Sequence, residues 1–85
     1  MKDMLLSAVL GDNLKPEVEN RLILNITSLE RVNRCNIIGN QVTVMISSGL
    51  HDTPNKSQRV IDATVDEVKR IVELVASVKG WSTSA

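Results

Sequence analysis

Phenylalanine and tyrosine are absent from these 85 residues, and Trp81 is the only aromatic. Proteins that hold single-stranded bases by stacking need aromatic platforms, so that mode of recognition is excluded. A core must come mainly from Val, Ile, Leu and Met. Cysteine occurs once, at Cys35. One cysteine excludes an internal disulfide and a cysteine-rich metal site, and it points to a reducing, cytoplasmic setting. Charge of one sign is not in excess either: ten basic residues balance ten acidic ones. A nucleic-acid binder usually carries a basic surplus, so neutrality argues against nucleic acid as the partner.

Long apolar runs are missing as well. No segment is long enough to span a membrane, which argues against a membrane partner. Leu5-Leu6-Ser7-Ala8-Val9-Leu10 is too short for a signal-peptide core, and Asp3 precedes it. Asn25-Ile26-Thr27 fits the glycosylation triplet, which is read as chance without a secretion signal. There is no repeat, no low-complexity tract and no glycine-rich phosphate loop. The length suits a single small domain over residues 1–85 with one thin core.

The strongest positive signal is a hairpin. Val32 to Ile38 and Gln41 to Ser47 are β-prone, and Gly39-Asn40 lies between them. Glycine supplies the positive φ that a type II′ turn needs at its first central position. The turn sets the register Ile38–Gln41, Ile37–Val42, Cys35–Val44 and Asn33–Ile46. Alternation then puts Ile37, Val42, Cys35, Val44 and Ile46 on a core face. Asn36, Thr43, Arg34 and Met45 lie on the opposite face, with Ile38 on the same side.

Thr64-Val65-Asp66-Glu67 fits a capping box, which predicts a helix over 64–79. Val65, Val68, Ile71, Val72, Val75 and Val78 form its apolar stripe. Gly80 suits the left-handed position beyond the helix end, with Trp81 folding back on the last turn. Gln58 to Ala63 reads as a strand centred on Val60 and Ile61, after a polar loop broken by Gly49 and Pro54. The first third is ambiguous. Residues 1–20 are left unassigned between strand and helix. Arg21 to Thr27 fits a strand with Leu22, Leu24 and Ile26 inward; it equally offers a helical stripe of Val18, Leu22, Ile26 and Leu29. The strand is preferred and the helix stays open. The expected fold is α+β: an antiparallel β-meander over 21–63 with a C-terminal α-helix packed on one sheet face.

The elements RLILNI, TSLERV, QVTVMISSG, QRVIDAT and VDEVKRIVEL, within residues 22–75, resemble the small FlbD-type flagellar proteins. That resemblance implies a fold and transfers no catalytic residues. Gly39-Asn40-Gln41-Val42 also matches a turn of the carbon-storage-regulator family, but that family's arginine-bearing first strand is missing here.

Candidate chemistry is sparse. His51-Asp52 pairs the sole histidine with a carboxylate, but in a polar loop with no nucleophile motif beside it. Scattered acids and one His give no metal-ligand spacing. Cys35 faces the core and reads as a structural thiol. Arg31, Arg34, Lys56 and Arg59 would need to gather on one sheet face or edge to bind phosphate. Expected site residues are therefore not catalytic, and no cofactor or metal is expected. Ile38, Met45 and Trp81 are the candidate partner contacts. The expectation is a non-enzymatic protein-interaction module that binds a protein partner or a second copy of itself, with a nucleic-acid-binding regulator as the alternative.

Overall fold

The computed structural model describes residues 3–47 and 54–84, and the side chains of 54–58 lie outside that description. Six elements follow in chain order: β1 (Asp3–Leu10), α1 (Pro16–Thr27), β2 (Val32–Ile38), β3 (Gln41–Ser47), α2 (Pro54–Val75) and β4 (Val78–Ser84). The strands form one sheet in the order β2-β3-β1-β4, and every neighbouring pair is antiparallel. Each helix thus joins two strands that flank a third. This is the doubled split-βαβ arrangement. The fold is α+β as expected, but the sheet is not a meander and the chain's last element is a strand.

The N-terminal segment is not peripheral: β1 is a central strand. β3 and β4 pair with its two edges, while its side chains alternate between the sheet's two faces. Leu6, Ala8 and Leu10 are buried, while Val9 is 43% exposed.

The segment 21–27 is helix, not strand. Pro16 stands in the first turn, where its missing N–H costs nothing, and Glu17 and Glu19 favour the positive helix end. Leu22 and Ile26 are buried and Leu24 is 69% exposed. Residues 22 and 26 satisfy both periods, two and 3.6. Leu24 decides between them, since a strand would have turned it inward. The helix ends on hydroxyls that satisfy its last carbonyls: Thr27 Oγ1 donates to Ile23 O at 2.7 Å and Ser28 Oγ to Asn25 O at 2.7 Å.

The hairpin forms at Gly39, whose φ is 59°. No other described residue has positive φ, which fits type II′ and excludes type I′. The expected pairs Ile38–Gln41, Ile37–Val42 and Cys35–Val44 are present. The pair Asn33–Ile46 is not. A bulge between Val32 and Arg34 puts Val32 opposite Ile46, which turns Val32 into the core. The extra residue, Asn33, donates through Nδ2 to Ser47 Oγ. Ser47 Oγ in turn donates to Asp3 Oδ1 at 2.7 Å, so one buried hydroxyl ties β2, β3 and β1 together.

The largest departure from expectation is α2. It is continuous from Pro54 to Val75, so residues 58–63 are helix rather than strand and no helix starts at Thr64. Thr64 Oγ1 donates back to Val60 O at 2.8 Å, a mid-helix bond, instead of accepting from a capped turn. Ile61, Val68 and Val72 are buried. With Val65 they run at spacings of four, three and four, one continuous helical stripe. Gly80 and Trp81 are likewise not a helix terminus. They lie in β4, opposite Val9 and Ala8.

The buried residues of both helices join Leu6, Leu10, Cys35, Val42, Val44 and Ile46 in one cluster. Both helices therefore cover the same sheet face. Among the described residues, the other face carries no helix.

Candidate functional site

That helix-free face is the surface the fold leaves open, and the pairing register arranges it in rows. One row is Ile38, Gln41, Val9 and Gly80. The next is Asn36, Thr43, Ser7 and Ser82. A third is Arg34, Met45, Leu5 and Ser84. The middle row is one amide and three hydroxyls. Aliphatic and thioether groups flank it on both sides. Arg34 is the single charge in these rows, at the β2 end, and Asp3 closes one margin with its carboxylate engaged by Ser47.

Ile38 and Met45, expected on one outer face, both lie there. Ile38 is 78% exposed and Met45 is half-buried between Arg34 and Leu5. They are two rows apart, about 13 Å along the strands, so they do not form one patch. Each belongs to a different apolar row, with Val9 and Leu5 as the partners that sequence reading missed. Both period-two sets of that strand, Leu5/Ser7/Val9 and Leu6/Ala8/Leu10, are largely apolar, so the pairing of β1 rather than its sequence decides which one faces out.

Trp81 lies elsewhere. Its register partner Ala8 is buried, so Trp81 is on the helix side. The Lys69 ammonium sits 5.8 Å from the ring centroid, within cation–π range. The indole therefore helps seat α2 on β4.

Cys35 is 6% exposed on the core face, as expected. Burial alone pushes its thiol up from 9.0 to about 11. A raised thiol pKa keeps the neutral form and removes nucleophilic character near neutrality. The sign of the linkage follows. Between pH 9 and 11 the unfolded chain loses this proton and the folded chain keeps it, so stability falls as pH climbs through that window. Denaturant melts of the wild type should show the decline, and Cys35→Val should flatten it.

Two of the basic candidates, Arg34 and Arg59, lie in different layers. Arg34 lies on the helix-free face, whereas Arg59 projects from α2 in the helix layer. Arg31 lies in the α1–β2 connection, where its carbonyl accepts the Ser47 amide at 2.8 Å. The Lys56 side chain and the His51-Asp52 pair lie outside the described residues. A groove of about 360 Å³ between that connection and α2 is bordered by Leu29, Arg31, Val60, Thr64 and Glu67. Its hydroxyl, that of Thr64, is already committed to Val60 O. Among the described residues no group of three His, Cys, Asp or Glu side chains is placed to hold a metal ion, and no helix is long and apolar enough to cross a membrane.

No family model matches this chain, and no curated protein matches its sequence. The segments that resemble FlbD-type proteins fall in α1, the α1–β2 connection, β3 and α2. The first of them, RLILNI, is helical.

Proposed function

We propose that this chain is a small, non-enzymatic, cytoplasmic protein-interaction module that docks protein on its helix-free sheet face. The carrying observation is the make-up of that face. Leu5, Val9, Ile38 and Met45 flank a row of Ser7, Thr43 and Asn36, and the only charge in the rows stands at one end. Charge-poor centres with aliphatic and methionine contacts characterise the buried middle of protein interfaces. A face meant only for solvent would carry Lys and Glu at these positions, as the outer side of α2 does with Asp66, Arg70 and Glu73.

The test is affinity capture from host lysate with and without nuclease, using wild type and Met45→Glu side by side. Glu at 45 stands beside Arg34, so the fold tolerates it while the row acquires a buried-on-binding charge. The expected result is a protein partner that survives nuclease and weakens at least tenfold with Met45→Glu at unchanged melting temperature. A captured signal that vanishes with nuclease would move the reading to the nucleic-acid regulator. A partner indifferent to Met45→Glu would overturn the face as the docking surface.

A further inference from the structure

Helix α2 carries the signals of a helix start in its middle. Thr64 and Glu67 have capping-box spacing, and Asp66 and Glu67 are acids of the kind that favour a first turn. The turn that begins α2, at Pro54, contains no acidic residue. In the continuous helix the cap is idle. Thr64 Oγ1 instead donates back to Val60 O at 2.8 Å, an arrangement that slightly destabilises and bends a helix.

The chain on either side of Thr64 is held differently. Beyond it, Glu67, Lys69, Arg70, Glu73 and Leu74 are good helix formers, Asp66 and Arg70 stand at the favourable spacing of four, and Val68 and Val72 are buried. Around it, Val60, Ile61, Asp62, Thr64 and Val65 are weaker helix formers, and Ala63 alone is a strong one. Among the described side chains of the first half, only Ile61 is buried; Arg59, Asp62 and Ala63 are exposed. The groove of about 360 Å³ runs beside Val60, Ala63 and Thr64, so this half of α2 is not seated closely on the α1–β2 connection.

We propose that α2 is a two-segment helix with a built-in opening at Thr64, in which residues 54–63 unwind together while 64–75 stay helical. Thr64 Oγ1 then changes from donor to acceptor. It accepts from the Glu67 amide, and the Glu67 carboxylate accepts from the Thr64 amide. Asp66 and Glu67 come to stand at a positive helix end. What is lost is the helical bonding of 54–63 and the burial of Ile61, whose site in the core is uncovered. The opened state is held to about one molecule in 10³, within the ordinary range for a minor conformer. This device is separate from the docking face, which lies on the other side of the sheet.

Native-state hydrogen exchange in increasing, sub-denaturing urea reads the opening residue by residue. Amides 58–66 should exchange through one shared event with a small urea dependence. Amides 68–75, whose helical acceptors lie at residue 64 or later, should exchange at least about tenfold more slowly, through larger unfolding. Thr64→Ala removes the cap from the opened state and suits the closed helix better, so protection of 58–66 should rise about fivefold with 68–75 little changed. Thr64→Asp keeps a strong cap, loses the back-bond and brings a carboxylate to a half-buried site of the closed helix, so protection of 58–66 should fall. Thr64→Ser keeps the hydroxyl and the cap and should stay within about a factor of two of wild type. Opposite shifts from alanine and aspartate at one position are the signature of a cap that works only when the helix is open. A smooth gradient of protection from Pro54 to Val75, with no step between 66 and 68, overturns the proposal. So does a single exchange free energy shared by the whole helix, or a Thr64→Ala variant whose 58–66 protection is unchanged or lower.

Discussion

Thr64→Pro is expected to destabilise the fold by about 3 kcal/mol or more. Thr64 stands in the middle of a 22-residue helix, so proline there deletes a backbone bond and drives its ring into the carbonyl four residues earlier. For a domain of this size the loss should lower the melting temperature by more than about 10 °C. Thr64→Ala is the control. As an N-cap, Thr64 would lose about 1 kcal/mol on truncation to alanine. As a mid-helix residue that back-bonds to Val60 O, it should lose little, because alanine is the better helix former. The pair of variants separates a continuous helix from a helix that begins at 64, by chemical denaturation alone. A mild proline effect with a costly alanine effect would reverse the assignment.

The capping-box pattern at Thr64 and Glu67 is a true local signal that lost to a longer one. A helix that starts at Pro54 already supplies Ile61 to the stripe that Val65, Val68 and Val72 continue. Burying one more apolar residue on an unbroken helix outweighs a cap worth about 1 kcal/mol. In α1 the conflict was between two periods that share Leu22 and Ile26, and only the sheet's shape decides which is realised. As a helix, 21–27 buries Leu22 and Ile26 in the core and leaves Leu24 to solvent. β4 was illegible for a different reason. VKGWSTS has two apolar residues and no alternation, so the ladder with β1 makes it a strand and its own residues do not. What was legible was what short-range physics controls: the Gly39-Asn40 turn, the pairs next to it, and the burial of Cys35. The register failed one step beyond Arg34, where the bulge inserts Asn33.

The candidate surface follows the same division. Ile38 and Met45 were readable as outward because the hairpin fixes their side. Leu5 and Val9 were not, because their face is set by β1 lying between β3 and β4, a long-range pairing. Trp81 was placed at a helix end on the strength of Gly80, yet Gly80 shows ordinary φ and nothing lies within 4 Å of where a side chain would begin. Gly80 is a residue of an edge strand and caps no helix.

Leu6→Ala is expected to cost about 3 kcal/mol, within the usual range for a fully buried leucine whose cavity cannot collapse. Leu6 is 0% exposed and stands in register between Val44 of β3 and Thr83 of β4. Strands on both sides hold the backbone, so neighbouring side chains cannot close the gap. Leu5, one residue earlier, projects to the helix-free face, and Leu5→Ala should cost about 1 kcal/mol or less. A one-residue slip of β1 would exchange these two costs, because it would turn every side chain to the other face. Urea midpoints of the two variants therefore test the register of the central strand, and with it the identity of the open face. The same pair carries a functional contrast. Leu6→Ala should reduce partner capture only in proportion to the fraction unfolded, whereas Leu5→Ala should weaken capture while the protein remains folded. A docking face distinct from the core requires that separation between stability and binding. Its absence would mean that the rows of Leu5, Met45 and Val9 hold the sheet together and contact no partner.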